Sequence, residues 1–365
     1  MAEKFDRKIV LEDGREFYGY GFGAKCDRVC EIIFNTSVVG YQEIISDPSC
    51  AYQMVVMTYP LIGNYGIADD DFESRGSNVG ALVVRDYNDM PSNFRYTNTL
   101  AEVMDENDIP GLFGVDTRKI ARIIRDEGTK KALITDASTS KEDCMKILSS
   151  VSLPTNAVEK VSCKKRWYSR TFNHKFNVVL VDCGVRLSIV KSLNIRDCNV
   201  TVVPFDTKAE EIEFMKPDGI VISNGPGNPE NADKVVETVK KLKGKYPIFG
   251  IGLGHQIVSL AYGAKVSKLK FGHHGSNHPV KNMLNGRISM EMQNHNYVVE
   301  ESSLKNTNLT VTHLNLMDNT VEGVACEKDN MFSVQFHPVG TVDKFLDGNL
   351  YDQFIKIMEE AKKNA

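Results

Sequence analysis

From position 177 to 262 the chain alternates short apolar runs with amphipathic ones: "NVVLVDCG", "LSIVKSLN", "NVTVVPFD", "AEEIEFMK", "GIVISNGPG", "ADKVVETVKKLKG", "PIFGIGLG", then an apolar-faced stretch from Gln256. Few folds accept that pattern. Parallel strands require a crossover, and each crossover helix covers a sheet face, so the alternation predicts a parallel sheet with helices on both sides. Ligands in such sheets sit outside the carboxyl ends of the strands, where "SNGPGNP" (223 to 229) and "GIGLGHQ" (250 to 256) both fall. The second of these reads as a buried strand, a tight turn and a helix, an elbow of the kind that carries a nucleophile at its apex. Its apex residue is Gly252, which can neither attack, nor accept a proton, nor bind a metal.

The first ~145 residues read differently. "KIVLEDGREFYGYGFG" is a hairpin pattern around Asp13-Gly14, "GALVVRDY" a buried strand, and "DTRKIARIIRDEG" a helix with Ile120, Ile123 and Ile124 on one face, Asp116 as cap and Gly128 as stop. Together they predict an α+β domain over 1–148. From 149 to 176 the pattern decays into "SSVSLPTNAVEKVSCKKRWYSRTFNHKF", polar and basic, which is assigned as a linker before an α/β domain over 177–365.

A formal net charge of -4 gives no general attraction to nucleic acid. No apolar stretch approaches the roughly 20 residues of a membrane helix, and "MAEKFDRKIV" lacks a signal-peptide core, so neither a nucleic acid nor a membrane is expected and the cytoplasm is. The 8 cysteines include no C-x-x-C pair, which favours free thiols. Cys26 and Cys30 are spaced to share a helix face, but two ligands make no structural zinc site, and no metal is expected.

"SNGPGNP", "GIGLGHQ", "KFGHHGSNHPV" (270 to 280), "MQNHNY" (292 to 297) and "FSVQFHP" (332 to 338) stand in an order that resembles a class I glutamine amidotransferase domain. In the first half, "FNTSVVGYQEIISDPSCAYQMVVMTYPLIGNYG", "SNFR" and "GVDTRKIAR" resemble the small, glutaminase subunit of carbamoyl-phosphate synthase, so the likeness spans nearly the whole chain. It implies a flavodoxin-like, doubly wound second domain in which a cysteine attacks the glutamine amide, a histidine acts as base and acid, and a glutamate orients that histidine. It also implies a large synthetase subunit as partner, with ATP and Mg on that subunit and no cofactor on this chain. Carried over, the histidine is His337, the cysteine position holds Gly252 and the glutamate position Val339. Ser49, Gly225, Gly227, Leu253, Gln256, Asn294 and Tyr297 match glutamine-holding positions, with the backbone of Gly225 and Leu253 near the oxyanion; Asn296 stands where the family has glycine. "DCGVRLSIV" also departs from the family, with Cys183, Arg186 and Ser188 in place of an aromatic residue, lysine and asparagine.

Chemistry weighs these losses. Thiolate attack divides one difficult displacement into two easier steps, and Gly252 forms no such intermediate. Losing the nucleophile of a serine hydrolase costs on the order of a millionfold, roughly 8 kcal/mol of barrier. Val339 accepts no imidazole N–H, so the tautomer of His337 loses its anchor. Cys183, at a strand end, reads as packing rather than as a replacement nucleophile; His255 reads as structural; His273, His274 and His278 read as a loop packed near the site rather than as a metal site. The leading expectation is therefore a pseudo-glutaminase supporting ammonia-dependent carbamoyl-phosphate synthesis in a heterodimer, for either arginine or pyrimidine production. The alternatives are weak water-mediated hydrolysis with His337 as base, an engineered nucleophile mutant, and a glutamine-binding sensor.

Overall fold

The computed structural model describes residues 5–338 and 349–363. The chain divides into two compact units, Met1–Pro154 with Lys270–Gly275, and Thr155–Leu269 with Ser276–Ala365. The segment 149–176 spans that boundary and carries a helix, Ala157–Val161, and a strand, Trp167–Ser169.

The first unit is built on a closed barrel of Arg7–Leu11, Glu16–Gly23, Pro110–Phe113, Ala81–Val83, Gln53–Met57, Arg28–Asn35 and Lys130–Asp136, in that spatial order. Asp13-Gly14 turns the first hairpin, whose register pairs Arg7 with Gly19 and Val10 with Glu16. Inward-pointing Ile9, Leu11, Ile32, Met54, Val56, Leu112 and Ile134 fill one core, and Ile120 and Ile124 of helix Thr117–Glu127 close over it. Asp116 caps that helix by accepting the Lys119 N–H at 2.9 Å, and Gly128 ends it at φ 100°. Cys30 lies inside strand Arg28–Asn35 and Cys26 precedes it, so the expected shared helix face does not exist; a strand shows alternate residues on opposite sides instead.

In the second unit, Phe176–Asp182, Cys198–Pro204, Gly219–Ile222, Ile248–Ile251 and Met331–Val334 run parallel. Numbered along the chain their spatial order is 2-1-3-4-5, the flavodoxin-like winding. These strands are mostly apolar because both faces are covered, with Asn177, Asp182, Asn199, Thr201 and Ser333 as the polar exceptions. Val179 and Val181 join a core with Ile257 and Val258 of helix Leu253–Ala261, whereas Val178 and Leu180 face Leu193 of helix Leu187–Ile195 and Phe354 of helix Leu350–Lys363. Beyond Met331–Val334 the sheet continues through Val321–Cys326, Ile288–Val299, Val266–Asn282 and Thr310–Asn315, an antiparallel extension absent from the sequence reading. His273, His274 and His278 belong to strand Val266–Asn282, which corrects their placement in a loop. Backbone pairing there overrides a polar composition that lacks clean alternation.

Candidate functional site

The sheet order reverses beside strand Phe176–Asp182, and a crevice forms at such a switch point outside the strand ends. Side chains knit the surrounding turns. Asp182 Oδ1 accepts the N–H groups of Gly184 and Val185 at 2.9 and 2.8 Å, and Ser223 Oγ accepts that of Cys183 at 2.9 Å. Asn224 Oδ1 accepts the Arg186 N–H at 3.2 Å, which ties the first turn to the "SNGPG" turn.

Gly252 follows strand Ile248–Ile251 at φ 59°, ψ -115°, and helix Leu253–Ala261 starts at the next residue, three positions before the sequence reading placed it. That backbone strains any residue with a Cβ, so glycine sits here without penalty. A Cβ built on it would meet Asn224 Cβ at 3.1 Å and point toward the Gln335 carbonyl oxygen at 3.8 Å. Thus the apex keeps an elbow's backbone and direction while lacking a reactive atom. The Gly252 N–H is fixed by the Val334 carbonyl at 2.9 Å. Leu253 N–H, at the first helical position, has no carbonyl within its own helix to bond, as suits an oxyanion donor. Gly225 packs so tightly that a Cβ would overlap the Cys183 carbonyl oxygen and reach Leu253 Cδ2 at 2.9 Å.

Gln256 is not loose in the crevice. Its Nε2 donates to the Tyr297 carbonyl at 2.6 Å and to Gln335 Oε1 at 2.8 Å. The Tyr297 carbonyl also bonds His295 Nδ1 at 2.9 Å, and His295 Nε2 meets Gln293 Oε1 at 2.8 Å. Gln293 Nε2 continues to the fully buried Glu322 at 2.8 Å, and Asn315 Nδ2 donates to the other carboxylate oxygen at 3.1 Å. Asn294 and Asn296 alternate with these residues along strand Ile288–Val299, and Asn296 is buried. His337, half-buried, donates its backbone N–H to the Met292 carbonyl at 3.0 Å. Arg186 Nη1 donates to Met292 Sδ at 3.1 Å. Gly227 lies in the turn before Pro229–Asn231 at φ 89°. Ser49 belongs to the first unit, in the turn Pro48–Cys50, where it is buried and its N–H donates to Asp47 Oδ1 at 2.8 Å. Val339 lies outside the described residues.

Two side chains near the elbow are sealed from solvent. Cys183 is fully buried, and burial, reinforced by the Asp182 charge, pushes its thiol far above the ordinary range. His255 is also fully buried; desolvation first, then His313, lower its pKa to about 3, so it stays neutral. Its Nδ1 pairs with Ser333 Oγ at 2.9 Å, a core bond joining the elbow helix to strand Met331–Val334. Sequence reasoning gave no role to Gln335, Ser333 or Asn224. Gln335 was in view within "FSVQFHP", but only its tertiary contact with Gln256 makes it part of the site.

Among the described residues the arrangement supplies backbone donors and a polar frame, with a glycine at the elbow's apex. Residues 179–357 match the family model of class-I glutamine amidotransferases, which defines the second unit by class. Residues 9–134 match the model for the carbamoyl-phosphate synthase small chain, CPSase domain. Proteins called carbamoyl phosphate synthase small chain are similar over nearly the full length: one from Staphylococcus saprophyticus at 48% identity (98% of this chain, 97% of the relative), one from Fusobacterium nucleatum at 45% (98% and 100%), and one from Listeria innocua at 46% (98% and 99%). The chain belongs to the carbamoyl-phosphate synthase small chain family.

Proposed function

We propose that this chain has lost the covalent glutaminase step and serves a large synthetase subunit as a structural or allosteric partner, carbamoyl phosphate being made from free ammonia. The observation that carries this reading is the elbow: its backbone is kept at Gly252, and nothing on that residue can form an acyl intermediate. The alternative thiol, Cys183, is buried and protonated. Val339, an apolar residue two positions beyond His337, removes the third member of the expected triad at the level of sequence.

The test is co-expression with a large subunit of the same family. Expected are co-purification, carbamoyl phosphate formation from ammonium salts, and no glutamate release from glutamine above the blank. Failure to co-purify, or glutamine hydrolysis that disappears in His337→Ala, overturns the reading. Gly252→Cys combined with Val339→Glu then asks whether the remaining frame still supports catalysis; recovered hydrolysis means that only the reacting groups were lost.

A further inference from the structure

Between Glu159 and Asp182 the sequence holds Lys160, Lys164, Lys165, Arg166, Arg170 and Lys175 and no acidic residue, in a chain whose net charge is -4. The middle of this run is strand Trp167–Ser169, which among the described residues is the outermost strand of the second unit's sheet, paired on one side, with Cys198–Pro204. Alternation divides it. Trp167 and Ser169 lean inward, Ser169 Oγ donating to Asn194 Oδ1 at 2.6 Å, whereas Arg166, Tyr168 and Arg170 are exposed on the other face. Arg170 lies 5.7 Å from the centroid of the Tyr168 ring, and Phe172 is 99% exposed. Lys175 pairs with Asp197 at 2.8 Å, but among the described residues no carboxylate pairs with Lys164, Lys165, Arg166 or Arg170.

Lysines on an edge strand commonly guard it against aggregation. Guarding does not call for an Arg-Tyr-Arg stripe followed, in the turn just beyond the strand, by a fully exposed phenylalanine, which together offer charge and apolar contact at one edge. We propose that this edge docks an extended acidic segment of a protein partner by strand addition, backbone bonds supplying the register and the cations the selectivity. A peptide is favoured over a nucleic acid because only a peptide uses the unpaired backbone row, and because the molecule as a whole is anionic.

Trp167, the only tryptophan in the chain, sits in the strand itself and reports binding. The full chain is titrated with a glutamate-valine repeat peptide, the same peptide N-methylated at alternate residues, and a single-stranded oligonucleotide. Expected is a saturable change in Trp167 fluorescence with the first peptide only, weakened about tenfold between 50 and 250 mM salt and by a similar factor in Arg166→Gln with Arg170→Gln. These exposed substitutions leave the core untouched, and circular dichroism verifies the fold. No response to the peptide, equal binding of the N-methylated form, or tighter binding of the oligonucleotide each overturns the proposal.

Discussion

Gly252 holds a backbone conformation that other residues adopt only under strain, φ 59° with ψ -115°. Gly252→Ala is expected to cost about 1 to 3 kcal/mol in urea unfolding, from the positive φ and the tight approach to Asn224. Gly225→Ala is expected to cost more, about 3 kcal/mol or above, because its Cβ meets a backbone carbonyl that cannot rotate away. No measurable cost for Gly252→Ala would mean that the elbow is not under strain, and the reverse ranking would mean that the backbone around Gly225 shifts to admit a methyl group. A repaired Gly252→Cys enzyme therefore starts from a less stable fold, and its activity is best compared at temperatures well below unfolding. The missing nucleophile was legible in the sequence, since the flanking "GI" and "LGHQ" fix the apex position. That Cys183 is sealed in the core became visible only in the folded chain.

Among elements, helix Leu253–Ala261 is anchored to strand Met331–Val334 through His255 and Ser333 and, just beyond that strand, through Gln256 and Gln335. Ser333→Ala removes the one partner that a buried imidazole has among the described residues and is expected to cost about 1 to 3 kcal/mol, read from the urea midpoint; an unchanged midpoint would mean that the ring finds another partner. The parallel strands were legible because burial on both faces leaves near-continuous Val and Ile runs. The helix start was misplaced by three residues because Gly254 is a poor helix former, tolerated here by packing. The antiparallel strands escaped because "KFGHHGSNHPV" and "MQNHNY" are polar in places and lack the clean alternation that marks a half-buried strand.

For the whole molecule, buried neutral histidines set an acid limit. Burial lowers His255 to about 3 and His313 to about 4, against an ordinary value of 6.5. Between those values and 6.5 the unfolded chain binds more protons than the folded one, so their contribution to stability is full above pH 6.5 and is lost as pH falls. Each adds up to about 1.4 kcal/mol per pH unit to the slope in that window. His255→Asn is expected to flatten the stability profile between pH 6 and 4 relative to the parent; parallel profiles would show that His255 does not titrate on unfolding. The sequence by itself determined the parallel sheet of the second domain and the glycine at the apex, because apolar periodicity and glycine placement are local signals, while its motifs carried the resemblance that implied the winding and the family. Tertiary structure alone decided that Gln335 and Ser333 belong to the site's frame, that Cys183 and His255 are sealed in the core, and that a basic stretch read as linker forms a sheet edge. Each of these depends on contacts between segments distant in the chain, and burial, which sets their chemistry, exists only once those segments have packed.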